Sequence, residues 1–284
     1  QEIDPLGDTL PPRYAIESDD EDEYNPISST RESGSSVDLN IRFAGNIKQG
    51  SPSFIVSGNT GREWARGAKL GEQRGAIYVN EIQIGLLFEP SWVGAVVLVS
   101  EATAKLPLWA MNRYAEAVIN HLQPSSVVLL DSYAVHAYIS SEPVIPHDAP
   151  VRYLADEYAS IPPSSDIKIQ LFAPPNLVQY TSAAFMAELS LRSIRSPHPT
   201  STILILLPSP HIDPSAPASL ITTQMIPLSN NIWSAQMMQP VQHLMCTFIG
   251  ENVDCSWENH DSKTNHKIQS AKRFGDVGEG SMYI

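Results

Sequence analysis

The sequence predicts an α/β fold, a single domain with a mainly parallel or mixed central sheet flanked by helices. Apolar runs rich in Val, Ile and Leu are typical of strands that are covered on both faces; they are "VGAVVLVS" (93–100), "SVVLLDS" (126–132) and "TILILLP" (202–208). Stretches with apolar residues at helical spacing separate these runs. This strand–helix–strand order favours a parallel strand pair with a right-handed crossover.

The first half of the domain supplies two more predicted strand regions and a helix. "SPSFIVSGNTG" predicts a strand at 53–57 followed by a turn, and "AIYVNEIQIGLLFE" predicts one long strand or two strands that form a hairpin. The helix lies between the strands at 93–100 and 126–132, and Pro124 ends it. Its apolar residues recur at helical spacing: Leu108, Met111, Ala115, Val118 and Leu122.

The second half repeats this pattern. "IKIQLF" (167–172) predicts a strand, and a helix is expected from about Ser182. One face of that helix is predicted to contain Ala184, Ala187, Leu191 and Ile194. A last helix is expected within "NNIWSAQMMQPVQHLMCTFIG", bent or interrupted at Pro240 and stopped at Gly250. Pro-rich loops are predicted at 141–150, 161–165 and 208–217.

Charge and polarity divide the chain into three predicted parts. Residues 1–40 hold 11 Asp and Glu against 2 Lys and Arg, so an acidic, disordered arm is predicted at 1–36. An α/β domain is predicted at 37–250 and a flexible, polar tail at 251–284. The arm is also a candidate contact for a basic surface. Nucleic-acid binding is not expected, because it needs clustered Lys and Arg to replace phosphate counterions.

Composition sets the expected environment of the chain. Of 284 residues, 42% are hydrophobic and 17% are charged, which is typical of a globular protein. The longest apolar runs are too short to cross a bilayer, so no membrane association is predicted. The two cysteines, Cys246 and Cys255, have neither disulfide-framework nor zinc-site spacing. We therefore expect a cytoplasmic protein in a reducing compartment, with a nuclear location also open.

Few residues match a catalytic or metal-binding pattern. Asp131, Ser132 and His136 lie at the carboxyl end of a predicted buried strand, where α/β proteins often bind ligands. They lack a G-x-S-x-G elbow, and triad residues are rarely so close in sequence. "SGNTG" lacks the spacing of a phosphate-binding loop and is interpreted as a plain βα turn. The histidines show no paired metal spacing. The sequence therefore predicts no enzyme activity, no cofactor and no metal.

The last three residues, Met282, Tyr283 and Ile284, form a hydrophobic–Tyr–X tripeptide. A free carboxylate at Ile284 could be bound by a lysine or by backbone N–H groups in a pocket. The tyrosine offers a flat apolar body and a hydroxyl group for hydrogen bonding. A preceding arm of about 30 residues spans tens of Å at roughly 3.3 Å per residue when extended. The tripeptide is therefore a candidate site for binding to a pocket on a partner protein.

Together these features resemble the proteasome assembly chaperones that act on the α-ring of the 20S core particle. "SFIVSGNTG" resembles the first-strand segment of that family, which ends in Gly-Asn. "PPNLVQYTSAAFMAEL" resembles its Pro-Asn-aliphatic-Val turn, which leads into a helix with paired alanines. "TILILLP" follows that helix in the family order, and "MYI" closes the chain. The resemblance implies an α/β domain similar in shape to nucleoside phosphorylases.

The resemblance also implies partners. The chain would form a heterodimer with a homologous sister subunit on the outer face of the α-ring. Met282, Tyr283 and Ile284 would enter a pocket between adjacent α-subunits, where a lysine would meet the carboxylate of Ile284. This docking would promote correct α-ring formation and block premature binding of activators.

Two alternatives remain open on the sequence alone. The first is an α/β enzyme of phosphorylase-like or hydrolase-like type, with a site near Asp131, Ser132 and His136. The second is a mature proteasome activator, which would bind the same pocket. Activators usually need a symmetric oligomer or an ATPase motif, and no Walker A sequence is present.

Overall fold

The computed structural model describes residues 39–140, 144–159, 168–196, 199–220, 233–251 and 256–258. The α/β unit begins at Asn40. The predicted acidic arm at 1–36 lies outside the described residues, as does most of the predicted tail. The domain boundaries at 36 and 250 therefore remain predictions.

Nine strands and four helices are formed by the described residues, and the strands belong to one mixed sheet. The order across the sheet is β1-β3-β4-β5-β2-β6-β9-β7-β8. The strands are β1 Ile41–Gly45, β2 Ser53–Ser57, β3 Gln73–Val79, β4 Ile82–Phe88, β5 Val96–Ser100, β6 Ser126–Ala134, β7 Val151–Ala155, β8 Ile169–Leu171 and β9 Ser201–Ser209. The helices are α1 Gly58–Gly67, α2 Leu108–Leu122, α3 Tyr180–Arg195 and α4 Ala235–Phe248. The α/β prediction is confirmed.

The centre of the sheet is parallel and both sides carry antiparallel strands. β2 pairs in parallel with β5 and β6, and β6 pairs in parallel with β9. β1, β3 and β4 form an antiparallel extension beside β5, and the expected hairpin is β3–β4. On the other side β7 is antiparallel to β9. β5 and β6 run in the same direction, as predicted from the strand–helix–strand order, but β2 lies between them.

Helices cover both faces of the central strands, which explains the continuous apolar runs. All five residues of β2 and of β5 are buried. Phe54 and Val56 of β2 contribute to a core with α1 and α4 residues such as Trp64, Met238 and Met245. α2 and α3 pack against each other, and α3 also contacts β6 and β9. This layering buries both faces of the strands that end at the candidate site.

The prediction of which residues form the apolar face of α3 is wrong. Of the four residues expected to line it, Ala184 is buried, Ala187 is exposed, and Leu191 and Ile194 are 50% and 81% exposed. The helix begins earlier, at Tyr180, and a different set of apolar side chains, which includes Phe185, faces inward. Phe185 is fully buried and meets the Tyr114 ring edge-on at 6.0 Å between centroids. Burying this set removes more apolar area from water than burying the predicted set, two members of which are alanines.

Residues beyond the predicted domain end contact the domain. Trp257 is 5% exposed, and its Nε1 donates to the Trp64 carbonyl at 2.9 Å. The Glu258 N–H donates to the Gly67 carbonyl at 3.1 Å.

α4 continues through Pro240 without interruption, and Gly250 follows it with φ +81°. No helix within the described ranges has both the length and the apolarity of a membrane span.

Candidate functional site

Parallel strands place several polar residues at one edge of the sheet. β2, β5, β6 and β9 run in the same direction, so their carboxyl ends meet there. A cavity of about 360 Å³ lies at this edge, lined by the end of β6 and by the segment 175–180 that leads into α3. A smaller cavity of about 40 Å³ lies beside it, lined by Gly58, Asn59, Glu101 and Thr181 among others. Asp131 lines both cavities.

Asp131 is held by two hydrogen bonds at the end of β6. Its Oδ2 accepts from the Ser182 hydroxyl of α3, and its Oδ1 accepts from the Ser132 N–H at 2.8 Å. Burial raises the pKa of Asp131 from its ordinary 3.8 to about 7, and the hydrogen bonds from Ser182 and Ser132 oppose that rise. The charges of Asp213 and Glu101 add to the increase. Asp131 is therefore a carboxyl group that titrates near neutral pH.

Glu101 is the second carboxyl group at this edge and follows directly after β5. Its Oε1 accepts from the Leu106 N–H at 2.7 Å, and its Oε2 accepts from the Thr181 hydroxyl at 2.9 Å. Burial raises the pKa of Glu101, the two hydrogen bonds lower it, and the nearby charge of Asp213 raises it. Thr181 and Ser182 thus connect the start of α3 to both carboxyl groups. Within the part of the chain that the structure describes, no three acidic, His or Cys side chains are grouped to hold a metal.

The structure does not assemble the suggested Ser–His–Asp arrangement. Asp131 and Ser132 line the larger cavity, whereas His136 is exposed on a short 3-10 turn, Val135–Ala137, and lines a different cavity. The oxygens of Asp131 are bound by Ser182 and by a backbone N–H rather than by an imidazole. Asp131 is therefore positioned to connect β6 to α3. This geometry gives no support to the hydrolase-like alternative.

Exposed apolar side chains surround the larger cavity. Ile139, Leu177 and Ile212 all line it and are 64%, 79% and 70% exposed. Asn176 fixes two of the loops that carry them: its Nδ2 donates to the Ile139 carbonyl at 2.9 Å, and its Oδ1 accepts from the Ile139 N–H at 2.8 Å. We call Ile139, Leu177 and Ile212 the apolar rim. Such a cluster is more typical of a protein contact than of a solvated surface.

The predicted site residues of the tail, Met282, Tyr283 and Ile284, lie outside the described residues. Glu101 was missed in the sequence, although the rule that selected Asp131, a polar residue at the carboxyl end of a buried strand, would also have selected it. It also missed the apolar rim, because each rim residue is in a different loop. Cys246 of α4 is buried in the core, at 1% exposure.

Comparison with known proteins gives structural neighbours only. No protein-family model and no curated protein matches the chain in sequence. In structure the chain is similar to PbaA of Pyrococcus furiosus, an archaeal homolog of proteasome-assembly chaperone, with 9% identity, TM-score 0.48, and 82% and 90% of the two chains covered. It is also similar to PbaB of the same organism, an archaeal proteasome activator, with 11% identity, TM-score 0.47, and 82% and 97% covered.

A third neighbour is a protein of unknown function from Corynebacterium glutamicum, with 10% identity, TM-score 0.42, and 82% and 88% covered. At these identities the likeness concerns the fold alone. The function of this chain is therefore inferred from its own residues.

Proposed function

We propose that this chain is a 20S proteasome assembly chaperone, the counterpart of proteasome assembly chaperone 1. It binds the α-ring as a heterodimer with a sister subunit and has no catalytic role. One observation carries the proposal: two segments that resemble this family, 53–61 and 174–189, are far apart in sequence but meet at one edge of the sheet. Asn59 of the first and Thr181 of the second line the same small cavity.

The apolar rim supports a protein partner at this edge. Interfaces of permanent complexes are more apolar than those of transient ones. Burying side chains as exposed as Leu177 and Ile212 contributes up to about 1.5–3 kcal/mol each. We therefore assign the rim to the sister subunit, the permanent partner in this proposal.

The proposed contact with the α-ring is the tail. Met282, Tyr283 and Ile284 enter a pocket between adjacent α-subunits, and a pocket lysine pairs with the carboxylate of Ile284. A docked tail favours correct α-ring formation and occupies the position that an activator would use. The proposal requires that Ile284 carries the free carboxylate, which intact-mass measurement of the natural protein checks. We propose that the chain binds the α-ring in the cytoplasm. The nucleus is a second location in the same proposal.

Tail variants test this proposal. The full chain is co-expressed with the sister subunit, and the α-subunits that co-purify with it are quantified. Deletion of Met282-Tyr283-Ile284, Tyr283→Ala, and one glycine added after Ile284 should each lower recovery of α-subunits at least tenfold. This corresponds to about 1.4 kcal/mol or more. Tyr158→Ala is the matched control, because Tyr158 is a 47% exposed tyrosine on the domain.

The outcomes separate the parts of the proposal. Loss of α-subunits with the sister subunit still bound supports tail docking. Unchanged recovery in all three tail variants contradicts tail docking but leaves the heterodimer intact. Absence of α-subunits with the wild-type chain contradicts the chaperone function itself.

A further inference from the structure

Arg152 of β7 is a buried cation beside the rings of Tyr133 and Tyr138. It is 6% exposed. Its Nη1 donates to the Leu171 carbonyl at 3.1 Å. Its Cζ lies 3.7 Å from the ring centroid of Tyr138 and 5.6 Å from that of Tyr133. Packing against β8 and two tyrosines therefore holds the guanidinium in a fixed position.

Within the described ranges, no acidic side chain pairs with the charge of Arg152. Its buried Nε has no hydrogen-bond acceptor. A guanidinium has five N–H donors, and a buried charge is costly unless it is paired and hydrogen-bonded. Contact with the Tyr138 face offsets only part of this cost, about 2 kcal/mol when desolvated.

A cavity of about 300 Å³ adjoins this guanidinium. Its wall includes Arg152, Tyr133, Tyr138, His136 and Ser140. It therefore combines one fixed positive charge, two aromatic rings and further groups that can donate hydrogen bonds. Among the described residues that line it, none is an Asp or a Glu. The wall has the chemistry of an anion site with aromatic sides.

We propose that this cavity binds a small organic oxyanion, a carboxylate or a phosphate ester, with Arg152 as its counter-charge. The guanidinium pairs with the oxygens of such a group through its Nη–H donors, because the buried Nε–H is shielded from the cavity. The cavity volume is about ten times the roughly 30 Å³ that one water molecule occupies in the liquid. The ligand therefore extends beyond the anionic group, and its body packs against Tyr133 and Tyr138.

Nitrogen NMR on the full chain tests this site without the proteasome. The Nε–Hε signal of Arg152 is assigned by its loss in Arg152→Lys. Benzoate, phenyl phosphate, inorganic phosphate and acetate are then titrated at constant ionic strength, with chloride as the reference. The signal should move with benzoate and phenyl phosphate, and the aromatic anions should bind at least tenfold more tightly than acetate and inorganic phosphate.

Variants separate a ligand site from a structural arginine. Arg152→Gln should weaken benzoate binding, measured by calorimetry, at least tenfold, because a charge-assisted hydrogen bond is worth about 1.5–3 kcal/mol. Arg113→Gln, at an exposed position of α2, is the matched control and should bind like the wild type. If Arg152→Gln does not fold, the wild-type NMR titration still decides the question.

Three results would overturn the proposal. The first is an Arg152 signal that no anion moves. The second is equal binding of benzoate by wild type and Arg152→Gln. The third is binding that occurs only in Glu142→Gln, because the carboxylate of Glu142, which lies outside the described residues, would then be the natural partner of Arg152.

Discussion

The raised pKa of Asp131 predicts a stabilising substitution, Asp131→Asn. In the folded chain Asp131 takes up its proton near pH 7, whereas in the unfolded chain it does so near its ordinary 3.8. The folded state therefore binds more protons between these values. The contribution of Asp131 to stability is fully present below about pH 4, is lost as pH rises to about 7, and is constant above that. Asparagine keeps hydrogen-bonding groups for Ser182 and Ser132 but does not titrate.

The size of the effect follows from the same values. One pKa unit equals about 1.4 kcal/mol, so a rise from 3.8 to about 7 corresponds to about 4 kcal/mol between the two protonation states. Asp131 is only partly shielded from water, which screens part of this penalty. We therefore expect Asp131→Asn to increase the free energy of unfolding at pH 8 by about 1–3 kcal/mol, and the gain to shrink towards pH 4.

Urea unfolding of the wild type and Asp131→Asn at pH 4.5, 6 and 8 measures this difference, with equal m-values as the condition for comparison. Asp148→Asn is the control, because the Asp148 side chain is 71% exposed and the chemical change is the same. The pKa of Glu101 is also raised, so its titration changes stability in both proteins. The wild type and Asp131→Asn are therefore compared with each other at each pH. A difference that is the same at all three values, or a less stable Asp131→Asn at pH 8, would refute the reasoning.

Three further predictions concern packing and the apolar rim. Trp64→Ala, at a fully buried side chain, should lower the free energy of unfolding by about 3–5 kcal/mol in guanidinium chloride titrations. Gly67→Ala should cost about 1–3 kcal/mol and shift the fluorescence of Trp257 to longer wavelength, because a Cβ there would lie 2.2 Å from the Trp257 ring; an unshifted spectrum would contradict the packing. Leu177→Glu should change the midpoint of thermal unfolding little but reduce recovery of the sister subunit, whereas Leu191→Glu, at a 50% exposed residue of α3 outside the rim, should not.

The central strands could be predicted from sequence because both their faces are covered. β5, β6 and β9 are almost continuous in aliphatic residues, and that signal does not depend on neighbouring segments. β7 and β8 were harder to predict from the sequence. The β7 sequence "VRYLA" carries a buried arginine, and only three residues of the predicted strand 167–172 form β8. Which strand lies between which could not be predicted, because adjacency depends on contacts between distant segments.

α1 was missed because its glycines look like turn residues. The helix sequence is "GNTGREWARG", and glycine disfavours helix interiors. The structure supplies the reason for Gly61: a Cβ there would lie 2.6 Å from the Val56 carbonyl carbon, so only glycine lets α1 approach β2 this closely. Tertiary packing outweighs helix propensity at this position.

The candidate site was only partly predictable for a similar reason. Asp131 follows from the rule that polar residues at strand ends meet, and its hydrogen bond to Ser182 depends on where α3 begins. The apolar rim joins residues 139, 177 and 212, which no local pattern connects. Arg152 looks like an ordinary strand residue until its burial beside Tyr138 is known.

The central claim is that the chain binds the α-ring during proteasome assembly, and gradient sedimentation of cell extract tests it most directly. The tagged full chain and the proteasome subunits are followed by quantitative mass spectrometry across the gradient. We predict that the chain sediments with α-subunits and its sister subunit in particles smaller than the mature 20S core, and is absent from the mature core. A chain found without α-subunits in every fraction, or bound chiefly to mature core particles, would contradict the account.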